Sequence, residues 1–383
     1  MSIFINRFKK VLPRHLVQQD ELLQWIIACH QKAESLSVVK SELSLDMIEK
    51  FFKRYAVKSN QISQRYVECS DILNSDFSKA EVYKMTEHQP EGSSIKDRAQ
   101  YYLKRTDEVF KEIYLNNLNP EKHPSHIIHT TCTGYVSPSS AQKIVVHPEW
   151  KGGTEVTHAY HMGCYAAMPS VRTAEGLVST SRNQKDLNYR VDIVHNEMCG
   201  LHMNPLAHSP EQIVVQTLFA DGHIKYSLSK EKLSAGKNFK ILALVEKVIP
   251  DSEQDMSWIP NSWGMQMNLS RDVPEKIKQH LQSFNKILIE KAELQPEQFM
   301  SAKYAIHPGG PKIIDAISEA MELNLEQTKE SRNILLTRGN MSSATLPHVW
   351  EQILENNYPV GTFVVSYAFG PGLTMYGSVL EVC

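Results

Sequence analysis

The chain has 383 residues, 42% of them hydrophobic, which supplies a large core and points to two domains or one duplicated domain. Lysine and arginine total 41 against 43 acidic residues, a formal charge of -2, so no strong field selects nucleic acid or an anionic membrane as the main partner. No apolar run is long enough to span a bilayer. The six cysteines (Cys29, Cys69, Cys132, Cys164, Cys199 and Cys383) include no CxxC pair, as expected of free thiols in a reducing, cytoplasmic compartment.

The opening MSIFINRFKKVLPRH places basic residues after its apolar ones and lacks the apolar core of a secretory signal, so it reads as a first strand. Helical spacing follows over residues 20–31 and again over 95–118, where Ile95, Ala99, Tyr102, Val109, Phe110, Ile113 and Leu118 lie on or near one stripe. Glu87 to Ser94 is a loop by composition. Sixteen histidines raise the question of a metal, but no HExxH spacing occurs. His123, His126 and His129 run into a strand, where residues three apart alternate faces, so a solvated or capping role is expected and no metal site.

The second half restates the first. FINRFKKVLP is echoed by KILALVEKVIP, each a strand ending in a turn with proline. SHIIHTTCTGYVSPSSAQKI is echoed by AKYAIHPGGPKIIDAISEAM, THAYHMGCYAAMPSVRTAEGL by ILLTRGNMSSATLPHVWEQIL, and RVDIVHNEMCGLHMNP by GTFVVSYAFGPGLTMYG. The second and third pairs read as strand, glycine turn, helix. Four paired units in one order imply two similar αβ halves, 1–235 and 236–383, whose strand ends meet.

Loops beyond the carboxyl ends of strands gather site residues in αβ sheets. Those junctions hold Cys132, Cys164, His307 and Asn340: a nucleophile, a base or hydrogen-bond donor, and an amide. Cys164 follows Gly163 at the start of an expected helix, where orphan amides, the helix dipole and a neighbouring imidazole would favour the thiolate. Pro169 should restrict the first turns of that helix. His307 is fixed by Pro308, Gly309, Gly310 and Pro311, a run too tightly turned for a helix interior, and Asn340 sits between Gly339 and Met341-Ser342-Ser343.

With these residues in view, the sequence resembles the type III polyketide synthases, the chalcone-synthase-like branch of the thiolase superfamily. The resemblance rests on GCYAA around Cys164, LFADG from Leu218, GMQMNLSRDVP from Gly264, IHPGGPKIID from Ile306, RGNMSSAT from Arg338 and FGPGLT from Phe369. It implies an α/β, thiolase-type duplicated αβαβα five-layered fold and a homodimer. It also implies an acyltransferase that joins an acyl-CoA starter to malonyl-CoA by decarboxylative Claisen condensation, without a cofactor. Cys164, His307 and Asn340 then form the catalytic triad. Phe219 falls on a gate phenylalanine between the CoA tunnel and the cavity, and Cys132, Thr133 and Ser342 are substrate-binding. Lys58, Arg65 and Lys312 are assigned to the CoA phosphates.

Three positions depart from the family pattern: Met267 for the second gate phenylalanine, His202 for a cavity threonine, and Ser137 for a methionine that reaches the partner's cavity. The first two point to an aliphatic starter and few extensions. The alternative is a single-condensation ketoacyl synthase, fatty-acid-initiating or pyrone-forming, fed by acyl carrier protein. A papain-like hydrolase shares the order Cys, His, Asn, but its CGSCW-type signature is absent. A non-catalytic partner subunit is disfavoured by the intact triad.

Overall fold

The computed structural model describes residues 2–39, 41, 43–116, 123–150, 153–181 and 189–383. The opening residues form β1 (Phe4–Val11), as the sequence suggests, and β2 (His15–Gln18) pairs with β3 (Gln64–Val67) in a small ribbon. Runs of β-branched and aromatic residues give β4 (His126–Thr131), β5 (Glu155–Tyr160), β6 (Arg190–Met198), β7 (Asp221–Ser229) and β8 (Phe239–Val248). A hairpin of β9 (Met256–Pro260) and β10 (Met265–Leu269) precedes β11 (Lys303–Ile306), β12 (Phe363–Gly370) and β13 (Thr374–Val382).

Nine strands hydrogen-bond in the order β11-β12-β13-β8-β1-β7-β6-β4-β5. Read outward from the centre, β1-β7-β6-β4 mirrors β8-β13-β12-β11, and the two series meet where Phe4 faces Lys240 and Ile5 faces Phe239. Three of the sequence echoes, β1 with β8, β4 with β11 and β6 with β12, therefore occupy equivalent sheet positions.

The fourth echo differs. The segment expected as a strand, ILLTR, is the end of a helix, because Asn324 and Gln327 form a reciprocal capping box that starts the helix Leu325–Arg338 and its hydrogen-bond ladder runs through Ile334 and Leu335.

The helices complete the layers. Gln19–Leu36 (α1) and Leu45–Tyr55 (α2) pack on each other, while Ile95–Tyr114 (α3) and Ser140–Val145 (α4) cover one side near β1. Ala167–Thr180 (α5) contacts β6, β7 and β13, strands from both halves. Pro210–Leu218 (α6) follows, capped by Ser209, with Pro210 at its first position. Val273–Ala292 (α7), Pro296–Met300 (α8) and Pro311–Ala320 (α9) lead to the capped helix Leu325–Arg338 (α10) and Thr345–Glu355 (α11). α7 packs on β8, β13 and α9 as the opposite outer layer.

α11 is buried along almost its whole length, and its Trp350 shares one core with Met168, Val171 and Val178 of α5. The order is thus helices, strands, central α5 and α11, strands, helices: the expected five layers.

The helix expected over 95–118 is described to Tyr114, with Tyr102, Val109, Phe110 and Ile113 buried and Ile95 and Ala99 half-buried; Leu118 lies outside the described residues. The histidines contradict expectation, since His126 and His129 are buried in β4 and His123 stacks on Trp150 at 3.9 Å. Both faces of β4 are covered, by α3 on one side and α5 on the other, so alternation offers no solvated side. Among the described residues, no helix is long and apolar enough to cross a membrane and no cluster is arranged to hold a metal.

Candidate active site

Two glycines shape the site. Cys164 lies in the turn after β5, with Gly163 before it at φ +80°; a Cβ there would stand 2.6 Å from Pro371 Cδ. Asn340 follows Gly339, at φ +72°, where a Cβ would meet Arg65 Cγ at 3.0 Å. The Asn340 backbone is tied to the α6 exit: its N–H donates to Leu218 O (3.1 Å) and its carbonyl accepts from Ala220 N–H (2.8 Å). His307 leaves β11, its N–H donating to Tyr367 O (2.7 Å) while its carbonyl accepts from Gly309 N–H (2.8 Å). Three separate strand or helix ends thus converge.

Cys164, His307 and Asn340 line one outer cavity together with Phe219, Met267 and Lys312. An inner cavity is lined by Cys164, Phe219 and Met267 again, and by Cys132, Thr133, His202 and Ser342. Phe219 and Met267 therefore stand at the boundary of the two.

Cys164 is buried, and its thiol is pushed up to about 12, burial being the largest cause, while hydrogen bonds from Ser342 and Asn340 oppose it. This differs from the thiolate expected at a helix start. α5 begins only at Ala167, and desolvation outweighs what the turn's amides offer. Burial likewise lowers His307 to about 3, so its imidazole is neutral, and neither ring nitrogen has a hydrogen-bond partner among the described residues. Asn340 Oδ1 accepts from Ser342 N–H (2.9 Å) and Thr345 Oγ1 (3.3 Å), which fixes the amide so that its NH₂ group faces the thiol.

Ser342 Oγ lies 2.9 Å from Cys132 Sγ and 3.7 Å from Cys164 Sγ. Behind them, buried Glu197 accepts from Ser343 Oγ, Thr133 Oγ1 (2.7 Å), Cys132 N–H (3.2 Å) and Cys132 Sγ (3.4 Å). His202 is held at both nitrogens: Nε2–H donates to Thr133 O (2.8 Å) and Nδ1 accepts from Met265 N–H (3.1 Å). It stands edge-on to Trp258, whose Nε1 donates to Cys132 O (2.6 Å).

Two of the three basic residues assigned to the CoA phosphates, Arg65 and Lys58, lie away from the outer opening. Arg65 is buried, with Nε on Gln19 Oε1 (2.8 Å) and Nη1 on the carbonyls of Gln216 (3.1 Å) and Phe219 (2.5 Å), while its Nη2 has no partner among the described residues and the side chain lines the inner cavity. It clamps the end of α6 and does not line the outer cavity. Lys58 is exposed, but its ammonium donates to the Lys53 carbonyl and it lines neither cavity. The outer rim is formed by Arg54 and Arg271 with Lys312, all exposed. Arg54, in the last turn of α2 and four residues before Lys58, is the basic residue of this segment that lines the opening. Glu197 was also missed: RVDIVHNEM holds two carboxylates, Asp192 and Glu197, among five polar residues, so its composition does not single Glu197 out.

A cysteine after β5, a histidine after β11 and an asparagine after α10 meet in one cavity of a duplicated αβαβα fold, the arrangement of the thiolase-type fold. Residues 240–383 match the family described as chalcone and stilbene synthases, C-terminal domain. A probable polyketide synthase 1 of Dictyostelium discoideum is 26% identical over 91% of this chain, which spans 10% of that relative. Type III polyketide synthase C of Arabidopsis thaliana is 23% identical over 97% of this chain and 93% of its own length. The crystal structure of the C-terminal type III polyketide synthase domain of Steely1, a type I/III hybrid from Dictyostelium, superposes with a TM-score of 0.81 at 21% identity, covering 100% of both chains. Residues 240–383 thus match the chalcone and stilbene synthase C-terminal domain, and the chain along its length is similar to type III polyketide synthases and shares their fold.

Proposed function

We propose that this chain extends an acyl thioester with malonyl-CoA by decarboxylative Claisen condensation, using Cys164 as nucleophile and His307 and Asn340 as hydrogen-bond donors. The observation that carries this reading is His307: an imidazole with both ring nitrogens buried and unpartnered, in the cavity that also holds Cys164 and Asn340. Such unspent capacity costs stability unless a ligand uses it.

Cys164 gives its proton to neutral His307 and attacks the starter carbonyl; its C–S bond forms as the bond to the CoA sulfur breaks, and the proton passes from His307 to the departing CoA thiolate. Malonyl thioester then loses carbon dioxide, and the electron pair of the broken C–C bond passes to the thioester oxygen as an enolate. Neutral His307 and the Asn340 NH₂ group donate to that oxygen. The enolate carbon attacks the Cys164 thioester, a C–C bond forms, and the cysteine sulfur leaves.

The exposed Arg54, Arg271 and Lys312 at the outer opening suit the phosphates of CoA. Met267 replaces a rigid ring with a flexible thioether, and His202, pinned at both nitrogens, occupies the inner wall as a fixed body. Both favour an aliphatic starter and few extensions. The two halves, 1–235 and 236–383, divide the labour, the first carrying the nucleophile and the second both donors, and the working unit is a homodimer. Mass spectrometry of products from purified protein with acyl-CoA and malonyl-CoA tests this reading. A short pyrone or diketide is expected, and a tetraketide from an aromatic starter would overturn the substrate assignment.

A further inference from the structure

The inner cavity does not stop at the Cys132 and His202 wall. It continues past Met203 to Leu22, Trp25 and Ile26 of α1, with Ile72 and Tyr83 opposite. These side chains belong to the core that packs α1 against α2 and β3, separate from the cores around α5 and α7. A cavity that starts at a thiol between the sheets thus ends inside the satellite helical layer.

The chemistry of that end is one-sided. Tyr83 has its hydroxyl committed, donating to Gly200 O (2.5 Å) and accepting from Met203 N–H (3.2 Å), so it offers the cavity only its ring. Arg98 sits over that ring at 5.0 Å and fixes it. Trp25 stands edge-on to Tyr83 with ring centres 5.4 Å apart, its Nε1–H donating to Asn74 O (3.3 Å). Trp25 lines the cavity and is only half-buried, so one side chain touches both the cavity and the surface.

We propose that this distal arm is the binding site for the methylene chain of a straight-chain acyl group carried on Cys164, and that Trp25 is its end-stop and sets chain length. This rests on the condensing role of Cys164 argued above. An alkyl chain asks for no hydrogen bond, and here the hydrogen-bonding atoms of Trp25 and Tyr83 are already used. A hydroxylated aromatic starter would bury a donor without a partner. Contact with Leu22, Ile26, Ile72 and Met203 supplies apolar burial along the chain.

The test is acylation of Cys164 followed by intact mass, with a ladder of straight-chain acyl-CoAs from butyryl to palmitoyl and no malonyl-CoA, so that loading is read apart from condensation. Trp25→Ala is expected to move the optimum to longer chains, raising the rate for the longer over the original substrate by about tenfold or more, the scale set by one methylene in an apolar pocket. Ile72→Trp is expected to move it to shorter chains. If wild type accepts none of the ladder, both the aliphatic reading and this site are overturned. If wild type accepts straight chains but Trp25→Ala, folded by its melting transition, keeps the same optimum, the end-stop fails while the condensing function stands. Should Trp25→Ala not fold, Ile72→Trp decides alone: a shorter optimum supports the site, and an unchanged one overturns it.

Discussion

The outer and inner cavities share Cys164, Phe219 and Met267 but treat hydrogen bonds in opposite ways. On the outer side His307 leaves both ring nitrogens unused, and Asn340 spends only its oxygen on the protein, holding the NH₂ group towards the thiol. On the inner side His202 and Tyr83 have their polar atoms engaged by the protein, and Arg65 Nη2, near the shared Phe219, is the exception among the described residues. A buried polar group normally finds a partner, because leaving it bare costs about 1–3 kcal/mol. The difference therefore separates the surface built to stabilise a changing charge from the surface built to hold an inert chain.

The largest way to break this comparison is to remove the outer groups. Cys164→Ala should abolish acyl loading by intact mass, yet retain malonyl decarboxylation, because His307 and Asn340 still face the enolate oxygen. His307→Ala and Asn340→Ala should each lower condensation by roughly a hundredfold to a thousandfold, the effect of one preorganised donor, with little change in melting temperature. Near wild-type turnover in either variant would remove that residue from the reaction.

Next in size is Arg65, which contacts neither substrate in this reading. Arg65→Met strips the donors from the Gln216 and Phe219 carbonyls and from Gln19, all buried or half-buried. A loss of about 3 kcal/mol of stability is expected, measured by denaturant unfolding. If instead stability holds and only the KM for CoA substrates rises, Arg65 is a phosphate ligand after all.

Much of this was legible in the sequence, for a local reason. Cys164 and Asn340 each follow a glycine in left-handed backbone, and His307 opens a proline-glycine turn, so the chain announces those junctions within a few residues. What was not legible depends on partners far along the chain. Arg65 reads as a surface cation until Gln19, Gln216 and Phe219 close around it, and His129 reads as solvated until α3 and α5 cover both faces of its strand. ILLTR has strand-like composition, and the capping box that makes it helical lies far upstream, at Asn324. Glu197 similarly gains its meaning only when Thr133 and Ser343 are brought against it.

A smaller effect sharpens the account of the thiol. Asn340 and Ser342 hydrogen-bond to Cys164 in the direction that lowers its pKa, against burial that raises it. Donors to a thiolate stabilise the charged form, so removing one must move the thiol's titration upward. Alkylation of Cys164 followed against pH should therefore shift to higher pH in Asn340→Ala and Ser342→Ala than in wild type. A shift to lower pH would mean that these groups oppose ionisation.

The smallest expected effect lies at the boundary of the two cavities. Met267 is buried in β10, its carbonyl accepting from Gln212 Nε2 (2.5 Å), so the backbone there is anchored while the thioether is free to bend. Met267→Phe keeps the volume roughly constant but replaces a flexible chain with a ring that can stack. The ratio of specificity constants for an aromatic over a medium-chain acyl-CoA should rise by up to about tenfold, since repacking one apolar contact changes binding by about 1 kcal/mol. The loading optimum along the straight-chain ladder should stay where it is, because the distal arm beneath α1 is untouched. If that optimum moves as well, chain length is read at the boundary rather than at Trp25, and the division between a reacting side and a holding side would have to be redrawn through Met267.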